Sequence, residues 1–127
     1  MSVVYDAGAL IAAERSDREV WADHRARLEL GVVPATTAPV VAQVSRSGRQ
    51  AQLRRFLRGC DVVPFTAEEA HEVGALAAKS RSADVVDVHV VAVASRRSFG
   101  IVTSDEGDLR PIVAALPRTA VVPLFAL

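Results

Sequence analysis

Acidic residues occur at three places in this chain where an apolar run begins or ends. Residues 101–109 read IVTSDEGDL, so Asp105, Glu106 and Asp108 follow a β-branched run and a hydroxyl pair, Thr103 and Ser104. Asp6 closes the opening run SVVY, and Asp84 and Asp87 flank two valines in SADVVDVHVV. Each acid has an ordinary use when taken alone, because Asp is a favoured helix N-cap. Asp6 suits a helix at Ala7, Asp84 suits the next helix with Asp87 in its first turn, and Asp105 or Asp108 suits a helix near Leu109. Together they have a second use. Carboxylates brought from three segments to one place repel and raise each other's pKa, and a hard divalent cation removes that cost. Oxygen ligands select Mg²⁺ or Mn²⁺ over Zn²⁺, and no Cys/His spacing in this chain suggests zinc. A cation so held steadies phosphoryl oxygens and activates water for in-line displacement, which points to phosphodiester chemistry.

The elements that must position these acids are short strands alternating with helices. Ser2–Tyr5, Val32–Thr37, Asp61–Phe65, Ile101–Thr103 and Ala120–Leu124 read as strands. Helices are expected over Ala7–Glu14, from a cap at Ser16 or Asp17 to about Leu30, from Pro39 to Ser47, over Arg49–Arg58, and from Leu109 to Leu116. Gly31 is a C-terminal stop, and Thr66 with Glu69 forms a capping box opening another helix. The stretch from Val85 to Val91 has strand propensity, but its length and the cap at Asp84 favour a helix to Arg97, with Asp84, Asp87, Val88 and Val91 on one side. This order predicts one α/β domain over residues 1–127, three-layered α/β/α, with a mainly parallel sheet of about five strands. Ligands of such sheets bind beyond the carboxyl ends of the strands, where Asp6 and Asp105 fall.

Composition narrows the classes further. Half of the 127 residues are apolar, enough for a core, and fifteen basic residues balance fifteen acids. Cys60 is the lone cysteine, so an internal disulfide is excluded and a reducing cytoplasm is the expected compartment. The apolar start lacks a basic leader and is interrupted by Asp6, which disfavours a signal peptide, and no apolar run approaches the ~18–20 residues of a membrane span.

These motifs resemble those of PIN-domain ribonucleases, most closely the VapC toxins of bacterial toxin–antitoxin pairs. The resemblance covers nearly the whole chain. It rests on VVYDAGALIAA, TAPVVAQVSRSGRQAQLRRFL, SADVVDVHVVAVA and IVTSDEGDL, of which the last two in that order are the specific pair. It implies a PIN-like fold and a Mg²⁺- or Mn²⁺-dependent endoribonuclease, commonly a homodimer, neutralised by a cognate VapB-like antitoxin. By the same resemblance Asp6, Asp87 and Asp105 are catalytic metal ligands and Asp108 an auxiliary acid. Thr103 and Ser104 match the polar pair before the last acid, and Asp84 fits a cap better than a ligand.

The departure is Gln43, where the family most often has Glu. Gln keeps a carbonyl oxygen but loses the charge, which weakens metal affinity and puts a two-metal mechanism in doubt. Residues 30–60 contain no Asp or Glu, so no acid of that segment replaces it. The same segment carries Arg46, Arg49, Arg54, Arg55 and Arg58. Either these form a solvated helix face, or Arg46 and Arg49 contact RNA phosphates, Arg46 lying one helical turn from Gln43. The alternative function is a PIN-fold module that binds RNA or antitoxin without cleaving. A receiver domain needs an acidic pair after the first strand and a late lysine. Here Asp6 is single and no lysine follows Lys79.

Overall fold

Five strands of three or four residues form the centre of the molecule: β1 (Val3–Tyr5), β2 (Ala35–Thr37), β3 (Asp61–Val63), β4 (Gly100–Thr103) and β5 (Leu124–Ala126). The computed structural model describes residues 1–127. The strands form one sheet in the order β3-β2-β1-β4-β5, and every pairing is parallel. Val4 is in register with Ala35 on one side and Ile101 on the other, so β1 occupies the middle. All three of its residues are buried. Covered on both faces, such strands read as continuous apolar runs rather than alternating ones.

Parallel neighbours require crossover helices, and right-handed crossovers decide their side. The chain first moves from β1 to β2 to β3 through α1 (Ala7–Glu14), α2 (Arg18–Glu29), α3 (Ala38–Val44) and α4 (Ala51–Leu57). It then returns past β1 through α5 (Ala70–Ser80), α6 (Val85–Arg97) and, after β4, α7 (Glu106–Ala114). The reversal puts these two groups in separate layers. Helix α1 packs with α3 and α4, whereas α5, α6 and α7 pack with one another. The expected α/β fold with a parallel five-stranded sheet is therefore observed.

Helix α6 settles the ambiguous valine run. Val88 through Ala94 are all buried in it, so a helix covered on nearly every side carries β-branched residues without an amphipathic pattern. Asp84 is its N-cap. No helix is long and apolar enough to cross a membrane.

Several boundaries differ from expectation, each for a local reason. Helix α3 ends at Val44 rather than Ser47 because the Gln50 side chain braces the turn. Its Oε1 accepts the N–H groups of Arg46 and Ser47, and its Nε2 donates to the Val44 carbonyl. Arg46 is consequently not on the helix one turn beyond Gln43, as the sequence suggested. The last helix begins at Glu106, not Leu109, because Asp105 caps it and leaves Pro111 inside the helix. The capping box at Thr66 and Glu69 forms, but residues 67–69 make a turn and α5 starts at Ala70. Strand β5 begins at Leu124 instead of Ala120. Pro123 has no N–H for a ladder and contributes only its carbonyl, which accepts from Ile101.

Candidate functional site

Parallel strands deliver their last residues to one end of the sheet, and the helices that follow begin there. Asp6 comes off the central strand and caps α1, accepting the Ala9 N–H at 3.2 Å. Asp105 comes off the adjacent β4 and caps α7, accepting the Asp108 N–H at 3.3 Å. Asp84 caps α6 and accepts the Asp87 N–H at 3.1 Å. The ordinary use of these acids is thus real in all three cases. It does not exclude the second use, since a carboxylate has about four lone-pair sites and each cap occupies one.

Thr103 joins the first two acids. Its hydroxyl donates to the Asp6 carboxylate and accepts the Asp105 N–H at 2.8 Å. Asp6 is buried, with one oxygen facing Ala9 and the other facing Thr103. Ser104 fits against Gly8: a Cβ on that glycine would lie 1.9 Å from Ser104 Oγ and 2.6 Å from Ser104 Cβ. Only a residue without a side chain lets the start of α1 approach the end of β4 this closely.

The remaining acids are coupled to this pair. Burial raises the Asp87 carboxyl to about 6, helped by the charges of Asp84, Asp6 and Asp108. Burial also raises Asp6, with Asp105 adding to the shift, while the Thr103 hydroxyl and the N–H groups of Ala9 and Gly8 oppose it. Exposed Asp108 is raised by its hydrogen bond to Asp105 and by that residue's charge, with Asp84 contributing. Asp84, Asp87, Gly107 and Asp108 line one open cleft between α6 and α7. Five carboxylates from three segments therefore feel one another at the carboxyl end of the sheet.

The donor set is oxygen only, with no thiol or imidazole in the cluster, and so suits a hard cation such as Mg²⁺ or Mn²⁺. Burial and neighbouring acids together hold the Asp6 and Asp87 carboxyls up, and a bound cation would relieve both effects. The side chains do not stand as a finished ligand shell, because no three His, Cys, Asp or Glu residues gather closely enough to hold a metal ion. Cation chemistry fits the residues in kind and charge rather than in finished geometry.

Gln43 stands apart. It opens onto a groove lined also by Leu10, Ile11, Glu14, Arg15 and Arg46, and no residue of the acid cluster lines that groove. Glu14 is the acid that a local reading of residues 30–60 missed. It reaches across from α1 and accepts the Leu53 N–H at 2.7 Å, serving the start of α4, whose own cap residue makes no side-chain bond. Arg46 is in this groove, whereas Arg49 is exposed in the loop after α3, where its N–H bonds Ser47 Oγ. Glu106, unassigned by sequence, pairs with Arg110 at 2.7 Å.

Sequence reasoning also missed two polar groupings in the core. Glu69 is buried and accepts from Arg96 at 2.6 Å and pairs with His89 Nε2 at 3.0 Å. Tyr5 Oη meets His24 Nδ1 at 2.9 Å, and the His24 ring stacks on Phe56 at 3.9 Å. His24 and His89 both pack in the core.

A family model described as PIN domain matches residues 3–112. Solved structures of similar fold include VapBC2 from Rickettsia felis bound to a DNA fragment from its promoter. Its TM-score is 0.76 at 16% identity, and the match covers 100% of this chain and 99% of that one. PAE2754 from Pyrobaculum aerophilum matches with a TM-score of 0.65 at 16% identity, over 98% and 83% of the two chains. A chain of FitAB bound to an IR36 DNA fragment gives 0.63 at 14% identity, over 98% and 94%. At these identities the likeness establishes fold and nothing finer. No curated protein matches the chain.

Proposed function

The chain belongs to the PIN domain family, and from that premise we propose that it is a divalent-cation-dependent endoribonuclease of the VapC type, neutralised by a cognate antitoxin. The observation that carries this reading is the gathering of acids at one end of the sheet, where Thr103 bridges Asp6 to Asp105 and one cleft is lined by Asp84, Asp87 and Asp108. Asp6, Asp87 and Asp105 would hold Mg²⁺ or Mn²⁺, with Asp108 on the exposed rim. A cation bound there supplies the positive charge that steadies phosphoryl oxygens and eases deprotonation of water. Thr103 fixes the orientation of Asp6 through its hydroxyl and holds Asp105 through the backbone. Ser104 sits between the start of α1 and Asp105, where it keeps the two segments in contact. Asp87, half-buried and without a cap to serve, is the acid most able to change its proton load near neutral pH. We assign Arg46 and Arg49 to phosphate contacts and Gln43 to an accessory position, and we expect a homodimer. The likeness to VapBC2 and FitAB supports an antitoxin partner.

A second reading has its own support. The acids are engaged as caps and lack a finished ligand shell, and Gln43 carries no charge. A PIN-fold module that binds RNA or antitoxin without cleaving is consistent with both facts. Incubating the pure chain with single-stranded RNA and Mn²⁺ separates the readings. Cleavage that EDTA stops and Asp6→Asn abolishes supports the nuclease. Binding without cleavage at any Mn²⁺ or Mg²⁺ concentration supports the module.

A further inference from the structure

Zero net charge conceals a segregation. Between residues 7 and 60 there are nine arginines and five acids, whereas residues 61–127 hold six basic residues and nine acids. The fold turns this into geography, because the first segment builds the α1–α4 layer and the second contains most of the opposite one. On the arginine-rich layer a cleft runs between α2 and α4, with Arg18 and Arg25 on one wall and Gln52 and Arg55 on the other. Trp21 lies at its floor, half-buried, with the Arg55 guanidinium 5.6 Å from its ring centroid. No acid lines the cleft. The chain's ion pairs engage His89, Arg96, Arg97 and Arg110, leaving Arg18, Arg25 and Arg55 without carboxylate partners.

We propose that this α2–α4 cleft is a second nucleic-acid contact, in which Arg18, Arg25 and Arg55 hold the phosphates of an RNA strand whose scissile end lies at the acid cluster. The proposal rests on the nuclease reading above and extends it to a surface the acids do not reach. Asp6 caps the start of α1, and Ser16, which lines the cleft, follows its end, so the eight residues of the helix separate the two sites by about 12 Å. The groove holding Arg15 and Arg46 is lined by Leu10, Ile11 and Glu14 of α1, the helix that joins the two sites, and the Glu14 carboxylate there is engaged by the Leu53 N–H. Arg18 and Arg25 are seven residues apart on α2, roughly 10 Å along its axis, a spacing that meets separate phosphates of one strand.

The cleft's chemistry favours a phosphate chain over a protein segment. Protein interfaces also enrich Trp and Arg, but their centres are depleted of charge, whereas three of the seven residues of this cleft are guanidiniums without a carboxylate partner. Here Trp21 and Ala22 are the apolar lining, and guanidiniums dominate the walls. Phosphate contact needs only such charge, and reads no base.

The test is binding of fluorescein-labelled single-stranded RNA in EDTA, so that affinity is read whether or not the chain cleaves. A long unstructured oligonucleotide is titrated across a salt series. For the long RNA, Arg18→Ala/Arg25→Ala/Arg55→Ala lowers the slope of log affinity against log salt by about 2, at ~0.7 per lost single-strand contact. Because Arg55 also covers Trp21, the Arg18→Ala/Arg25→Ala pair is run alongside, with an expected fall of about 1.4. An unchanged long-RNA slope in folded variants overturns the proposal. So does a polyglutamate peptide that binds the parent chain and not the variant while RNA binding stays the same, which would make the cleft a site for acidic protein. Cleavage with an unchanged slope defeats this proposal alone. A lowered slope without any Mn²⁺-dependent cleavage defeats the nuclease reading and leaves the RNA cleft standing.

Discussion

Thr103 donates its hydroxyl to the carboxylate of Asp6, a residue ninety-seven positions earlier in the chain. The same oxygen accepts the Asp105 N–H, so one buried side chain ties the ends of β1 and β4 together. Thr103→Val keeps the shape and removes both bonds. It should cost about 1–3 kcal/mol in denaturant unfolding, because a buried carboxylate oxygen is left without its partner. It should also raise the Asp6 carboxyl further, since the hydroxyl is the largest influence holding it down. Carboxyl-carbon NMR titration reads the second effect. An Asp6 titration that does not move would remove Thr103 from the site's electrostatics, and Thr103→Ser should restore both properties.

Asp87 gives a pH prediction with a definite sign. Its folded-state carboxyl is raised from 3.8 to about 6, so the folded protein binds the proton more tightly than the unfolded chain. Its contribution to stability is fully present below about pH 4 and is lost as pH rises through about 6. Asp87→Asn should therefore be more stable than the parent at pH 8 in EDTA, with the gap closing towards pH 5. The gain should be ~1–2 kcal/mol after allowing for the residue's partial exposure. His24 and His89 are lowered by burial and slope the opposite way, but they cancel in the comparison of two chains that both contain them. Equal stability at pH 8 would mean that Asp87 carries no unrelieved repulsion.

Gly8 is confined by Ser104 rather than by backbone angle. Gly8→Ala should destabilise by about 1–3 kcal/mol through overpacking, and should displace Asp6 from Thr103. Ser104→Gly removes both clashing atoms, so the double variant should recover most of the loss. A double-mutant cycle with no coupling would show that the chain yields elsewhere.

Gln43→Glu should tighten Mn²⁺ binding if the side chain can join the acid cluster, and calorimetry measures this directly. In the structure Gln43 faces the groove containing Glu14, Arg15 and Arg46. Unchanged Mn²⁺ affinity would assign it to that groove and leave the cation to the aspartates alone.

Glu69 is the strongest stability target outside the site. Burial pushes its carboxyl up, but the Thr66 N–H, Arg96 and His89 outweigh that, and the net shift is downward. Glu69→Ala should cost ~3 kcal/mol near neutral pH by stranding the buried His89 and the Thr66 turn. The loss should shrink only as pH falls through the depressed folded value of Glu69, below the ordinary Glu range, where the native carboxylate is itself neutralised. Thermal unfolding at pH 7 and well below the ordinary Glu range tests the sign.

What the sequence determined by itself was everything set within a few residues of chain. A carboxylate three residues before a free N–H identifies Asp6, Asp84 and Asp105 as caps, and those caps put the acids at helix starts. Alternation of short strands with helices determined a parallel sheet, and a parallel sheet sends its strand ends one way. The catalytic candidates were legible for that reason. Boundaries were less so, because a bond such as that from the Gln50 side chain to the Val44 carbonyl competes with helix in a way propensity does not register. Only tertiary structure decided the relations between distant segments. It set Glu14 against the start of α4 and Ser104 against Gly8, buried Glu69 between His89 and Arg96, and put Gln43 on a groove with Glu14 and Arg15. It also faced Arg18 and Arg25 with Arg55 across a cleft. Each depends on how two surfaces meet after the chain has reversed direction. Side-chain identity limits what can meet, but packing of the helices on the sheet chooses the partners.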